Sequence, residues 1–199
     1  MPDMFTGREF ACELRFVRGT PTVLKGLTRE VYLSYRVSYH GRDTDWRPFG
    51  DPLPLITDIS HKLHSFYVHD VFHFALAELT HWSPVVRDGL FGVEGQWQGP
   101  DAAMLTEEAI VFNEWRSPAT KASIEWCLET AHQGGAGCNL RDMREALEFG
   151  KAEHARAVRD FARFGESRHV FSIRMLDKAF RYGSGKLSGV GADGRIPDQ

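Results

Sequence analysis

A chain of 199 residues that is 42% hydrophobic and 26% charged can bury a core, which excludes global disorder and favours one compact domain. A net charge of -3 and a pI near 6.3 exclude the basic balance of a nucleic-acid backbone binder. Cys12, Cys127 and Cys138 are odd in number and show no Cys-x-x-Cys spacing, which excludes a disulfide framework or zinc knuckle and fits free thiols in a reducing cytoplasm.

The first residues lack a basic segment followed by an apolar run, so no signal peptide is expected, and no apolar run is long enough to span a membrane. Residues 9–17 alternate, with Phe10, Cys12, Leu14 and Phe16 on one side, and predict a strand closed by Gly19-Thr20-Pro21. A second alternation, Val31, Leu33, Tyr35, Val37 and Tyr39, predicts its partner. His40–Asp43 reads as a turn and Thr44–Phe49 as a short returning strand, completing an antiparallel sheet of two or three strands over residues 9–49. Gly50-Asp51-Pro52-Leu53-Pro54 then breaks regular structure, and Asp58 or Ser60 can cap a turn of helix.

The stretch from Phe66 to Pro84 reads as a helix running into a Ser83-Pro84 stop, with Val68, Val71, Phe72, Ala75 and Leu79 as its apolar stripe. Gly89–Pro100 is a Gly-rich loop. Helices follow over 102–115, capped by Asp101, and over 119–132, with Ile124, Cys127, Leu128 and Ala131 inward. After a Gly-rich connector, Asn139 caps a long helix over 140–164, and a shorter helix is expected over 169–181. From Gly183 the periodicity ends, and 183–199 reads as a disordered tail. The whole is an α+β domain spanning 1–182, a small N-terminal antiparallel sheet followed by a helical bundle over about 55–182.

One constellation carries chemistry. His69 and His73 lie four apart and Asp70 three before His73, so the three share one helical edge. Two imidazoles at that spacing can bind one metal from a single helix, with further ligands from a neighbouring helix. Glu107 and Glu108 are the candidates there, and Glu114, seven residues on, shares the face of Glu107. The competing reading makes the histidines a structural hydrogen-bond network and the glutamates dipole-favoured residues of a helical first turn, which leaves Glu114 without a role. Glu145 and Glu148 are better read as a salt-bridged surface with Arg144 and Lys151. The arginines 156, 159, 163 and 168 are read as a solvated face. Gly183-Ser184-Gly185-Lys186 is not a phosphate-binding loop, because Phe180 and Leu187 stand where glycine and a hydroxyl residue are required.

In order, the sheet-forming segment, Gly50-Asp51-Pro52-Leu53, His69-Asp70-Val71-Phe72-His73, Trp82-Ser83-Pro84-Val85 and Glu107-Glu108-Ala109-Ile110 resemble the C-terminal region of some MazG-like nucleoside triphosphate pyrophosphohydrolases. The likeness covers roughly residues 28–116, with gaps. It implies cytoplasmic, Mg²⁺-linked nucleotide hydrolysis in an oligomer of helical subunits. The family's catalytic Glu-Glu-x-x-Glu pattern is absent, since Val111 stands three after Glu108, so only His69, Asp70, His73, Glu107 and Glu108 carry over.

Two functions are expected from these residues. The first is a metal-dependent hydrolase acting on a nucleotide or related phosphate ester. In it, His69, Asp70, His73 and Glu108 hold a divalent ion (Mg²⁺, or Mn²⁺ or Zn²⁺), and Glu107 or Glu114 accepts a proton. The second is a non-catalytic accessory module that binds a nucleotide or a protein partner, or forms a homodimer, with a structural His-Asp-His edge.

Overall fold

The computed structural model describes residues 9–24, 27–39, 41–49, 68–91, 102–133 and 136–174. Strand β1 (Glu9–Leu24) pairs antiparallel with β2 (Leu27–Tyr39), in a register that sets Cys12 against Val37, Leu14 against Tyr35 and Phe16 against Leu33. Phe10, Cys12, Leu14 and Phe16 of β1 and Leu33, Tyr35 and Val37 of β2 are buried, as the alternation predicts. The break expected at Gly19-Thr20-Pro21 is instead absorbed within β1. The register shifts between Arg18 and Thr22, so Pro21, which has no N–H, needs no partner in the ladder, and pairing resumes to Leu24. Short strands β3 (Arg42–Asp43) and β4 (Arg47–Pro48) both return onto β2.

Strand β5 (Glu166–Arg174) pairs antiparallel with the other side of β1, giving the order β3-β2-β1-β5 with β4 attached to β2. This corrects the helix expected over 169–181: residues 169–174 are strand, and 175–181 lie outside the described residues. Ser167, His169, Phe171 and Ile173 face inward at period two, but the first two are polar, which hides the alternation from a hydrophobicity reading. The exposed edge of β5 is covered by side chains. Arg156 donates to Arg168 O at 2.9 Å, and the Ser172 N–H donates to Glu78 Oε2 at 2.9 Å, blunting the edge against further strand pairing.

The outer face of the sheet is a lattice of ion pairs: Arg36–Glu13 at 2.7 Å, Arg15–Glu166 at 3.1 Å and Arg168–Glu166 at 3.3 Å. Arg15 and Arg36 also stack on Trp46.

Helix α1 (Asp70–Thr80) packs between this sheet and the bundle. Every residue from Val71 to Ala77 is buried, so α1 is a central helix, not the one-striped helix expected. Leu79, assigned to the stripe, is instead 40% exposed. Phe74 meets Phe49 and Phe171 of the sheet side, while Phe72 closes against Gly150 on the opposite side. The chain turns at His81, which adopts a left-handed φ of 56°. Ser83-Pro84 does not merely stop α1; it opens α2 (Pro84–Phe91), part of which was expected to be loop. Ser83 Oγ accepts the Val86 N–H at 3.0 Å, and proline at the first helical position loses no hydrogen bond.

Helices α3 (Ala102–Arg116), α4 (Lys121–Gln133) and α5 (Leu140–Phe164) fall close to their predicted bounds. Ile124, Cys127, Leu128 and Ala131 are buried as expected. Asn139 caps α5 in a reciprocal capping box with Asp142, and Gly165, at φ 73°, ends it. The architecture is α+β, but its sheet is completed by a C-terminal strand as well as by the N-terminal ones. Among the described residues no helix is long and apolar enough to cross a membrane. The expected helical turn after Asp58 or Ser60, Gly50–Pro54 and the 183–199 tail lie outside the described residues.

Candidate metal centre

His69 stands at the N-cap of α1, a position where Ser, Thr, Asp or Asn is preferred, and makes no side-chain cap bond there. Its ring instead meets that of His73 one turn on, edge to face, with centroids 5.4 Å apart. Ligand atoms of His69, Asp70 and His73 all lie within 4.8 Å of one another. Ligands sharing an ion at about 2.1 Å lie at most ~4.2 Å apart, so the cluster is near the spacing that one ion requires.

Helix α3 supplies both carboxylates expected of it, in different roles. Glu108 lies on the open side, with its side chain 41% exposed. Its oxygens are 3.7 Å from His69 Nε2 and 3.4 Å from His73 Nε2. Glu107 is fully buried and its oxygens are engaged. Its Oε1 lies 2.8 Å from His73 Nδ1 and accepts from Ser83 Oγ at 2.5 Å, while Oε2 accepts from the Val85 N–H at 2.9 Å. Two buried atoms of this cluster, His73 Nε2 and Asp70 Oδ2, have no hydrogen-bond partner among the described residues. The 3.4 Å approach of Glu108 to His73 Nε2 is thus an ion-pair contact outside hydrogen-bond geometry.

The electrostatics are set by three carboxylates around two imidazoles. Burial alone would push His73 down, but Glu108 and Glu107 hold its pKa well above the ordinary value. For His69 burial is likewise outweighed, by Asp70 and Glu108. Glu108 is held far below the usual carboxylate range: burial would raise it, and the two histidines lower it. The site therefore demands positive charge, which either protons or a metal can supply.

Glu107 and Glu114, the expected proton acceptors, are both buried and already hold partners. Glu107 has no free, solvent-facing oxygen with which to take a proton from water. Glu114 is about 10 Å further along α3, from its seven-residue offset. It is buried, accepts the Ala119 N–H at 2.6 Å and pairs with Arg144 at 3.1 Å, while Arg144 also bonds Ala119 O. That network ties the α3–α4 turn to α5. Glu107 and Glu114 share a face of α3 but meet different partners, His73 and Ser83 for the first and Ala119 and Arg144 for the second. Glu148 pairs with the expected Arg144 at 3.9 Å, whereas Glu145 pairs with Arg141 at 4.0 Å and Lys151 lies 4.0 Å from Glu114 instead.

Sequence reasoning missed Ser83, whose signal, a serine before a proline at a helix start, was legible only as a stop. It also missed a second buried polar cluster. Ser167 Oγ is 2.7 Å from His169 Nε2, and His169 Nδ1 is 2.7 Å from Glu153 Oε2. The order of groups matches a nucleophile–base–orienter relay. Ser167 is only 2% exposed, however, and Arg156 Nη2 lies 2.8 Å from the same Nδ1. The cluster is a closed strut between α5 and β5. The three cysteines are free and buried, and burial raises Cys138 to about 11, so none is an activated thiolate.

No protein-family model matches the sequence, and no curated protein or solved structure matches it. The geometry therefore carries the functional reading, and the MazG-like likeness enters it only as a proposal.

Proposed function

We propose that this protein is a divalent-metal-dependent hydrolase acting on a nucleotide or related phosphate ester, with His69, Asp70, His73 and Glu108 holding the ion. The observation that carries the reading is His73 Nε2: buried, without a hydrogen-bond partner among the described residues, and 3.4 Å from the Glu108 carboxylate while the opposite ring nitrogen is occupied by Glu107. A buried polar atom left this way costs stability unless something else satisfies it, and a ligand atom waiting for a cation is such a case. Asp70 Oδ2 is in the same condition. The donor set of two imidazoles and two carboxylates suits Zn²⁺ or Mn²⁺ at least as well as the expected Mg²⁺, which favours oxygen ligands.

When bound, a divalent ion supplies Lewis acidity, lowering the pKa of a coordinated water and drawing charge from a phosphoryl oxygen. The chain's own contribution is to hold two imidazoles at fixed orientation and to leave Glu108 at the solvent side, where substrate has access. The phosphate-ester substrate class rests on the MazG-like motif order alone.

The test is elemental analysis of purified protein, then titration with Zn²⁺, Mn²⁺ and Mg²⁺, then a screen of the loaded protein for pyrophosphate or phosphate release from nucleoside triphosphates. One equivalent of metal, lost in His73→Ala, is expected. A folded His69→Ala variant with undiminished turnover would remove the proposal.

A second reading is favoured by a specific observation: both imidazoles are drawn towards their protonated forms by the carboxylates beside them. In that reading the protons balance the charge, and the protein is a non-catalytic module binding a nucleotide, a protein partner or a second copy. Absence of stoichiometric metal, with a fall in melting temperature for His73→Ala, would decide for it.

A further inference from the structure

We infer that Glu107 and Ser83 are positioning residues for the metal ligand His73, so that the first turn of α2 sets the orientation of the site. The inference rests on the metal-site reading above. A neutral imidazole presents one N–H donor and one lone-pair acceptor, and whichever nitrogen donates leaves the other to ligate. Glu107 Oε1, 2.8 Å from His73 Nδ1, accepts the hydrogen bond of the Nδ1–H and leaves the lone pair on Nε2, the atom that lies 3.4 Å from Glu108. Glu107 is itself held on three sides, by His73, by Ser83 Oγ at 2.5 Å and by the Val85 N–H at 2.9 Å. Ser83 Oγ in turn accepts the Val86 N–H, so the chain of contacts ends on backbone rather than on a movable side chain.

The consequence is specific. All members of the relay are buried, so its geometry does not relax through solvent. A carboxylate behind a ligating imidazole fixes its tautomer and ring plane and raises its basicity, and losing it weakens metal affinity by roughly 10–100-fold. A purely structural Glu107 would change the stability of the fold but leave affinity and ligand field untouched.

The experiment titrates the full-length protein with Co²⁺ alone, reading the visible d–d absorption of the bound ion and, by chelator competition, its affinity. Wild type, Glu107→Gln, Ser83→Ala and Ser83→Thr are compared, with far-UV circular dichroism confirming the fold of each. Glu107→Gln is expected to bind roughly 10–100-fold more weakly with a shifted band. Ser83→Ala is expected to weaken binding several-fold in the same sense, and Ser83→Thr, which keeps the hydroxyl, to restore it. A folded Glu107→Gln with affinity within twofold of wild type and an unchanged band overturns the positioning role while leaving the metal site standing. No Co²⁺ band in wild type overturns the metal reading itself. Should Glu107→Gln fail to fold, the serine pair decides: equal affinity of Ser83→Ala and Ser83→Thr overturns the inference.

Discussion

Glu107 Oε1 lies 2.8 Å from His73 Nδ1, and both side chains are sealed from solvent. The pair joins α3 to the central helix α1 at the point where α2 begins. Glu107→Ala would leave His73 Nδ1, Ser83 Oγ and the Val85 N–H without their acceptor in a buried place. An unsatisfied buried group costs about 1–3 kcal/mol, so a loss of about 3 kcal/mol or more is expected in urea unfolding of metal-free protein. A loss below about 1 kcal/mol would mean that the surroundings re-pair these groups.

Asp70→Asn should behave in the opposite way. Asp70 Oδ2 makes no hydrogen bond among the described residues, so metal-free stability is expected to change by less than about 1 kcal/mol or to rise. Zn²⁺ or Mn²⁺ affinity, measured by calorimetry, should fall by an order of magnitude or more, since the ligand loses its charge. Unchanged affinity would remove Asp70 from the ligand set.

Arg144 is the partner of the buried Glu114 carboxylate, whose other oxygen makes no hydrogen bond among the described residues and lies 4.0 Å from Lys151 Nζ. Breaking a buried pair strands a charge, at about 3–5 kcal/mol. Arg144→Met should lie near the lower end because Arg144 is partly exposed, and adding Glu114→Gln should recover part of the loss. Equal unfolding midpoints for wild type and Arg144→Met would show that Glu114 is satisfied without it.

Gly150 lets α5 approach α1. A Cβ there would stand 2.6 Å from Phe72 Cδ1 and 3.1 Å from Phe72 Cα, and the backbone atom cannot swing away. Gly150→Ala gains about 1 kcal/mol of helix propensity but forces overpacking of about 1–3 kcal/mol. A net loss is expected, with Gly137→Ala, where no atom lies within 4 Å, as the neutral control. Thermal melts of the two variants make the comparison, and a more stable Gly150→Ala would show that the two helices can move apart at little cost.

The strut between α5 and β5 should make the protein acid-sensitive. Burial pushes His169 below its ordinary value despite its bond to Glu153, and Glu153 is lowered, burial notwithstanding, by Arg156 and His169. Both groups bind fewer protons folded than unfolded, so their stability is present above the unfolded values and lost as pH falls. For His169 the loss begins near pH 6.5, and for Glu153 near 4.5. His69 and His73, raised, act with the opposite sign, losing their contribution as pH rises through their folded values. The difference between wild type and His169→Gln therefore isolates the strut. Urea midpoints between pH 7 and 5 should fall more steeply in wild type, and parallel profiles would show that His169 does not titrate on unfolding.

Most elements were legible in the sequence because their signals are local. The alternation of Phe10, Cys12, Leu14 and Phe16, the Asn139 cap with Asp142 three residues on, and the Ile124–Ala131 face each report a short-range backbone geometry that packing then confirms. The His69-Asp70-His73 edge is local in the same sense, since helical spacing alone brings the three together.

What depends on partners distant in the chain was decided only by the tertiary structure. Strand β5 takes its place through pairs such as Arg15–Glu166, 151 residues apart, and its polar inward residues erased the apolar period that would have announced it. Glu107, Glu108 and Glu114 are the same chemical group on one helix, and spacing assigns all three to a candidate site. Packing separates them: α1 and α2 close over Glu107, solvent reaches Glu108, and Arg144 of α5 claims Glu114. A sequence period tells which way a side chain points, but the charge, donor or cation that it meets belongs to whichever element folds against it.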